Sequence, residues 1–263
     1  MIILESIILA AGYCSRFNFK DSSYKKYMLP LERSNILNYL IVAMYKAGIN
    51  KINIIVDENV DTSVITNSFN TFIDKIGIKS PEINFIENFH SERENGYSLY
   101  LGVRKVLSKS FILSMVDHVF SDNIYSHLIN IYENEDIILA TDPMKIEGIY
   151  DLDDCTKVYG DNLNIKEIGK KVLNYNRLDM GVFLMKSETI QDISKKIEIK
   201  NKKFGVSDIV ISAIDLNLKV KYLDFPNTTW LDIDTDVEYK KLNNIFYKSS
   251  KFRPFNLDFF DKA

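Results

Sequence analysis

Strand-length apolar runs alternate with helix-period segments through the first half of the chain. Ser6-Ile7-Ile8-Leu9-Ala10 is β-branched and unbroken, the pattern of a strand buried on both faces. Ile36, Leu37, Leu40, Ile41 and Met44 fall on one stripe, which predicts a helix capped by Ser34 and ended by Gly48. Lys51 to Asp57 and Ile83 to Ile86 read as further strands. Tyr97 to Leu107 reads as a helix, and Phe111 to Val116 as a buried strand that ends at Asp117. This order implies parallel pairing through right-handed crossovers, a doubly wound α/β sheet.

The second half changes character. Ile137–Thr141, Cys155–Tyr159, Ile165–Ile168 and Met180–Met185 are short strands between turn-rich segments, which suggests an antiparallel addition to the first sheet. A helix from Ser207 to Leu216, a strand from Val220 to Leu223 and a last helix after Asp234-Thr235 complete the pattern. No repeat or linker divides the chain. It reads as one domain over 1–245, with a first half to about 135, a second half from 136 and an aromatic, lysine-rich tail over 246–263.

Composition narrows the function. A net charge of −3 gives no surface of the kind that neutralises many nucleic-acid phosphates. The apolar runs fall far short of a membrane span. Two cysteines, Cys14 and Cys155, make neither a disulfide framework nor a zinc site. A cytoplasmic protein is the expectation, with neither nucleic acid nor membrane as partner and a homodimer left open.

The chemistry starts where the first strand ends. Leu9-Ala10-Ala11-Gly12-Tyr13-Cys14-Ser15-Arg16 joins small residues, whose backbone N–H groups can cradle phosphate oxygens, to a fixed cation suited to a triphosphate. Lys26, with Lys25 beside it, stands where a lysine could return to the same phosphates. Neither the dinucleotide-binding G-x-G-x-x-G nor the P-loop string is present. Asp117, at a strand's carboxyl end, is placed to hold Mg²⁺ or to cap a helix beginning at Ser121. Asp232 and Asp234, two apart in extended chain, point to one side, and Asp234 could also cap the last helix.

These segments together resemble the sugar-phosphate nucleotidyltransferases, whose signature runs L-A-A-G-x-G-x-R…K-P-L. Glu94 to Leu99, Phe111 to Phe120, Asp154-Cys155-Thr156-Lys157-Val158, Ile168-Gly169-Lys170, Asp179 to Phe183 and Trp230 to Thr235 are similar to the CTP:inositol-1-phosphate cytidylyltransferases over residues 5–245. Three positions depart from the pattern: Cys14 replaces the second loop glycine, Tyr27 the proline after the lysine, and Val116 a small residue before Asp117.

The resemblance implies a three-layer αβα sandwich of the nucleotide-diphospho-sugar transferase type with an antiparallel acceptor lobe. The halves to about 135 and from 136 correspond to its nucleotide and acceptor halves. It also implies a CTP-dependent enzyme of phospholipid or compatible-solute synthesis that uses Mg²⁺. Asp117, Asp232 and Asp234 would hold the metal. Leu9 to Gly12, Ser15, Arg16 and Lys26 would bind the triphosphate, while Asn95, Gly96 and Ser98 would read the cytosine or simply open a helix. His118, Asp142, Lys157, Lys170, Asp179 and Gly181 would face the acceptor, with Lys170 on its phosphate. Arg16, Lys26 and Lys170 are the expected catalytic cations. Phosphocholine, an aminoalkylphosphonate or a sugar-1-phosphate are alternative acceptors. A non-catalytic nucleotide-binding domain is the alternative of another class, and the retained charges Arg16, Lys26, Asp117 and Asp232 argue against it.

Overall fold

The structure is a computed structural model that describes residues 5–12, 16–17, 25–143, 152–248 and 254–257, with the side chains of 245–248 excepted. The elements run β1 (Glu5–Leu9), β2 (Pro30–Leu31), β3 (Ser34–Asn35), α1 (Ile36–Lys46), β4 (Lys51–Asp57), α2 (Thr62–Ile76), β5 (Glu82–Asn88), α3 (Asn95–Val103) and β6 (Ser110–Met115). They continue with β7 (His118–Phe120), α4 (Ile124–Ile131), β8 (Ile137–Asp142), β9 (Lys157–Asp161), β10 (Asn164–Gly169) and β11 (Arg177–Lys186). The last are α5 (Ser187–Lys200), α6 (Val206–Asp215), β12 (Val220–Asp224), β13 (Trp230–Asp232) and α7 (Asp236–Lys248).

Nine strands form one sheet in the order β5-β4-β1-β6-β11-β8-β12-β10-β9. The four on the nucleotide side are parallel, and β11 enters antiparallel between β6 and β8. Strands β8 and β12 pair parallel, while β10 runs antiparallel to both β12 and β9. The antiparallel part expected from the sequence is therefore woven into the main sheet. Alternation along β1 shows why both faces are covered. Ile8 joins the core under α1, α2 and α4, and Ile7 and Leu9 join the core under α3, α5 and α6.

Two helices were absent from the sequence expectation. In α2, Ile65, Phe69, Phe72 and Ile73 make a buried stripe, with Asp61 accepting from Ser63 N at one end and Gly77 at φ 67° at the other. In α5 the stripe is Ile190, Ile193 and Ile197. Elsewhere the boundaries shift. Asn35, not Ser34, caps α1 through Asn38 N. The α3 helix spans Asn95–Val103 instead of Tyr97–Leu107. Part of the tail is structural: Phe255 is fully buried, edge-on to Phe120 at 5.9 Å and stacked with Tyr125 at 6.4 Å. Among the described residues no helix is long and apolar enough to cross a membrane.

The start of α3 lies against the 204–206 segment. Gly96 N donates to Phe204 O at 3.1 Å, and a Cβ on Gly96 would meet Phe204 O and Gly205 O at 2.6 Å. Backbone atoms cannot yield there as a flexible side chain could. Gly96→Ala is expected to cost about 1–3 kcal/mol of stability through overpacking, measured as a lowered denaturation midpoint.

Candidate active site

A cavity of about 300 Å³ opens at the carboxyl ends of β1 and β6, where ligands of open α/β sheets gather. Its walls include Arg16, Lys26, Asn95, Asp117, His118, Asp154, Lys170, Asp179, Gly181, Asp232 and Asp234. It adjoins a wider cleft between the N-terminus of α6 and the turn after β10, and Asn95, Thr156, Lys170 and Ser207 line both.

Strand register delivers the acidic groups. Val116 N donates to Leu9 O, which holds the end of β6 beside the end of β1, and Asp117 follows. Antiparallel pairing of β7 with β13 sets His118 opposite Asp232, while Ile233 N donates to Asp117 O at 2.9 Å. Asp117, His118 and Asp232 thereby offer ligand atoms within 4.8 Å of one another.

The charges alternate along a chain. Lys170 Nζ pairs with Asp154 Oδ1, and Arg16 Nη1 with Asp154 Oδ2. Arg16 Nη2 lies 2.6 Å from Asp234 Oδ2, and Lys26 Nζ 2.7 Å from Asp234 Oδ1. Lys26 also pairs with Asp117 Oδ2, and His118 Nδ1 is 2.9 Å from Asp117 Oδ1. Burial alone would favour a neutral Lys26, but Asp117 and Asp234 hold it firmly as an ammonium. Burial pushes Asp117 up, and the stronger pull of Lys26 and His118 keeps it ionised well below the usual carboxylate range. His118 is disfavoured as a cation by burial yet raised to about 9 by Asp232 and Asp117. Burial pushes Asp179 up to about 6, against the Gly181 N–H that it accepts at 2.7 Å.

Burial also raises Asp232, with His118 opposing and Asp117 and Asp234 adding to the rise. Its Oδ1 is buried with no hydrogen-bond partner. An orphaned carboxylate oxygen beside Asp117 fits a hard divalent cation, which takes oxygen ligands. With His118 Nδ1–H donated to Asp117, the two carboxylates are the natural ligands. Asp234, expected as a third ligand, has both oxygens engaged by Arg16 and Lys26, as Asp117 has by Lys26 and His118, and it lies outside the group whose ligand atoms fall within 4.8 Å of one another. The helix-cap alternatives are not used either. Thr235 Oγ1 accepts from Val237 N in the first turn of α7, and α4 starts at Ile124, well beyond Asp117.

The other expected residues fall into two groups. Leu9 ends the interior strand β1 and Ala10 and Ala11 follow it, Ala10 N donating to Ile55 O, and among the described residues a Cβ on Gly12 would meet nothing within 4 Å. Ser15 and Cys14 lie outside the described residues. Lys26 enters the cavity while Lys25 turns away to Asp57, 2.6 Å distant. Asn95 lines the cavity with its Oδ1 committed to Val206 N, the first turn of α6. Gly96 and Ser98 are buried in packing, Ser98 accepting from Asn88. Lys157 does not line the cavity; its ammonium donates to Leu152 O and Lys170 O and staples two turns together. Asp142 also lies outside the wall, beneath it, accepting from Trp230 Nε1 at 3.0 Å.

Trp230 and Asp154 carry no sequence-derived role, yet both shape the site. The indole stacks on His118 at 5.5 Å with 10° between planes. Gly181, at φ 70°, comes so close to the imidazole that a Cβ would sit 2.9 Å from His118 Nε2. The lone tryptophan before the Asp232 motif was the available signal. Asp154 gave none beyond its place in a motif.

A profile of the MobA-like NTP transferase domain matches residues 6–148, more than half of the chain. The chain belongs to this family. The chain is 26% identical over 95% of its length to the bifunctional IPC transferase and DIPP synthase of Thermococcus kodakarensis, and the match covers 52% of that protein. It thus spans about half the length of this relative. It is 25% identical, over 92% of its length and 98% of the other's, to the choline-phosphate cytidylyltransferase of Streptococcus pneumoniae. Among solved structures, the inositol-1-phosphate CTP transferase of T. maritima matches with a TM-score of 0.76 at 22% identity, covering 93% of this chain and 97% of that one. The fold is that of the nucleotide-diphospho-sugar transferases.

In the transferase, Gly181→Ala tests the clamp on His118. A side chain in left-handed backbone costs about 1–2 kcal/mol, and the methyl must push the imidazole off Trp230. The expected result is a lowered denaturation midpoint together with a changed near-ultraviolet circular dichroism signal from the single tryptophan.

Proposed function

We propose that the protein transfers CMP from CTP to the phosphate of a small phosphorylated alcohol, with inositol-1-phosphate the leading acceptor, and releases pyrophosphate. The observation that carries this reading is the convergence of Arg16, Lys26 and Lys170 with Asp117 and Asp232 in one cavity. Cations reach it from the nucleotide side and from the acceptor side alike. The proteins named for IPC transferase and inositol-1-phosphate CTP transferase activity support the donor and the acceptor.

The chemistry needs little beyond positioning and charge. The acceptor phosphate is anionic near neutral pH, so its oxygen can attack the α-phosphorus in line with the leaving pyrophosphate and no general base is required. Arg16 and Lys26 bind the donor phosphates, and Lys170 orients the acceptor phosphate. His118, fixed by Trp230 and Gly181, offers a hydrogen bond to an acceptor hydroxyl. Asn95, whose Oδ1 is committed to α6, has only its N–H groups left to donate towards the acceptors on a cytosine edge. Asp117 and Asp232 would hold Mg²⁺, which supplies charge neutralisation at the phosphates.

The full-length match to a choline-phosphate enzyme gives phosphocholine a place as second acceptor. Aromatic faces that would surround a methylated ammonium are few among the described wall residues, and the Trp230 face turned towards His118 is covered by it. Asn95, Thr156, Asp179 and Ser207 supply hydrogen-bonding groups suited to ring hydroxyls.

Pyrophosphate release is to be measured for four nucleoside triphosphates against inositol-1-phosphate, phosphocholine and aminoethylphosphonate. CTP with inositol-1-phosphate is expected to be fastest; faster turnover with either other acceptor reassigns the acceptor, and preference for another nucleotide overturns the donor. Activity is expected to vanish with EDTA and return with Mg²⁺. Asp117→Asn, folded by circular dichroism, is expected to lose at least about 100-fold in kcat, the scale of one lost transition-state charge contact.

A further inference from the structure

Asp154 stands at the one point where the two cation sets of the cleft meet. Arg16 follows the first strand and belongs to the nucleotide half, whereas Lys170 lies in the turn after β10 on the acceptor half. Both are ion-paired to this single carboxylate, one on each oxygen. Two oxygens of one phosphate group present the same bridging pattern to an arginine and a lysine.

The exposure of these groups separates them from the rest of the charge chain. Lys26 is a buried ammonium between two carboxylates, with its side chain 10% exposed. Arg16 and Lys170 are 52% and 58% exposed, and Asp154 is 30% exposed on the turn before β9. Its side chain can reach water by rotation alone. The turn's backbone stays in place, because Lys157 Nζ donates to Leu152 O at 2.7 Å and to Lys170 O at 3.1 Å. Hydrogen bonds from Lys170 and Arg16 outweigh the burial that would push the Asp154 carboxyl up, and hold it at about 2, so it is an anion throughout the working range.

We infer that Asp154 is a displaceable internal counter-anion, which holds Arg16 and Lys170 in the place of substrate phosphate oxygens and swings aside when a phosphate chain enters. This rests on the reading that those two cations receive phosphates. It assigns Asp154 a positioning role. The carboxylate keeps the two cations gathered, prevents their mutual repulsion from opening the cleft, and sets a threshold that only a multiply charged anion crosses. A singly charged anion would exchange one weak bridge for another.

Calorimetric titration with inorganic pyrophosphate in the presence of Mg²⁺ tests this without nucleotide or acceptor, so its outcome is independent of which substrates the enzyme uses. Asp154→Asn keeps the shape and removes the competing charge. Two exposed ion pairs, each worth a factor of up to about five, set the expected gain at about five- to tenfold tighter binding. Asp154→Glu is expected to stay close to the unaltered protein. Asp161→Asn removes one negative charge from the exposed end of β9, outside the cavity, and is expected to change nothing. Equal or weaker pyrophosphate binding by Asp154→Asn would overturn the proposal. A matching gain in Asp161→Asn would do so too, since only net charge would then be acting, as would lack of binding by both proteins.

Discussion

An ammonium group buried at the base of a cleft is the constraint around which this molecule is arranged. Taking the charge of Lys26 out of water carries a desolvation cost that only close, fixed anions offset. Asp117 and Asp234 provide them, and each of those carboxylates is shared with another donor, His118 in one case and Arg16 in the other. The three elements involved are far apart in sequence. The turn containing Lys26, the end of β6 and the segment after β13 must all be in place for both anions to reach the ammonium. Removing one carboxylate leaves Lys26 with a single anion in a poorly hydrated space, so the charges of the site and its local packing are coupled.

The same arrangement keeps two of the cations charged although the site contains more carboxylates than cations. Arg16 is held between Asp154 and Asp234, and Lys26 between Asp117 and Asp234, which outweighs burial in both cases. Arg16, Asp154 and Lys170 are the exposed end of the chain of charges and Lys26 its buried end, so charge can be rearranged at the mouth of the cleft while its base stays fixed. Rigidity and exchangeability are thereby separated in space. Trp230 contributes to the rigid part. Its indole joins buried Asp142 to the face of His118, and Gly181 lies close against the same imidazole.

What could be read from sequence was information local to strand ends. Arg16 lies in the loop after β1, Asp117 follows β6 and Asp232 ends β13, so their convergence comes from strand ends, whereas Lys26 sits in the turn before β2. The choice of Lys26 over Lys25 agrees with where the two ammonium groups go. Pairings across the cleft were not legible. Arg16 and Asp154 are 138 positions apart, and nothing in either neighbourhood announces the other. Lys157 matched a motif but serves the backbone of its own lobe, since a motif fixes a residue type and not the direction of a flexible side chain. Helices α2 and α5 escaped notice for another reason. Their apolar stripes are only three or four residues wide amid Asn, Ser, Thr and Lys, so average polarity hid a correct period.

Strand β11 runs against its neighbours, and that has a bearing on how such a molecule could diversify. Because it is antiparallel to β6, its first residues arrive at the edge where β6 ends, which brings Asp179 and Gly181 beside His118. Beyond it, β9 and β10 close that end of the sheet as a hairpin paired with β11 and β12, and the Arg177–Asp224 ion pair ties β11 to β12. Insertions or exchanges in the turns of that hairpin would reshape one wall of the cleft while leaving the four parallel strands untouched, so one side of the cavity is free to vary without unsettling the other.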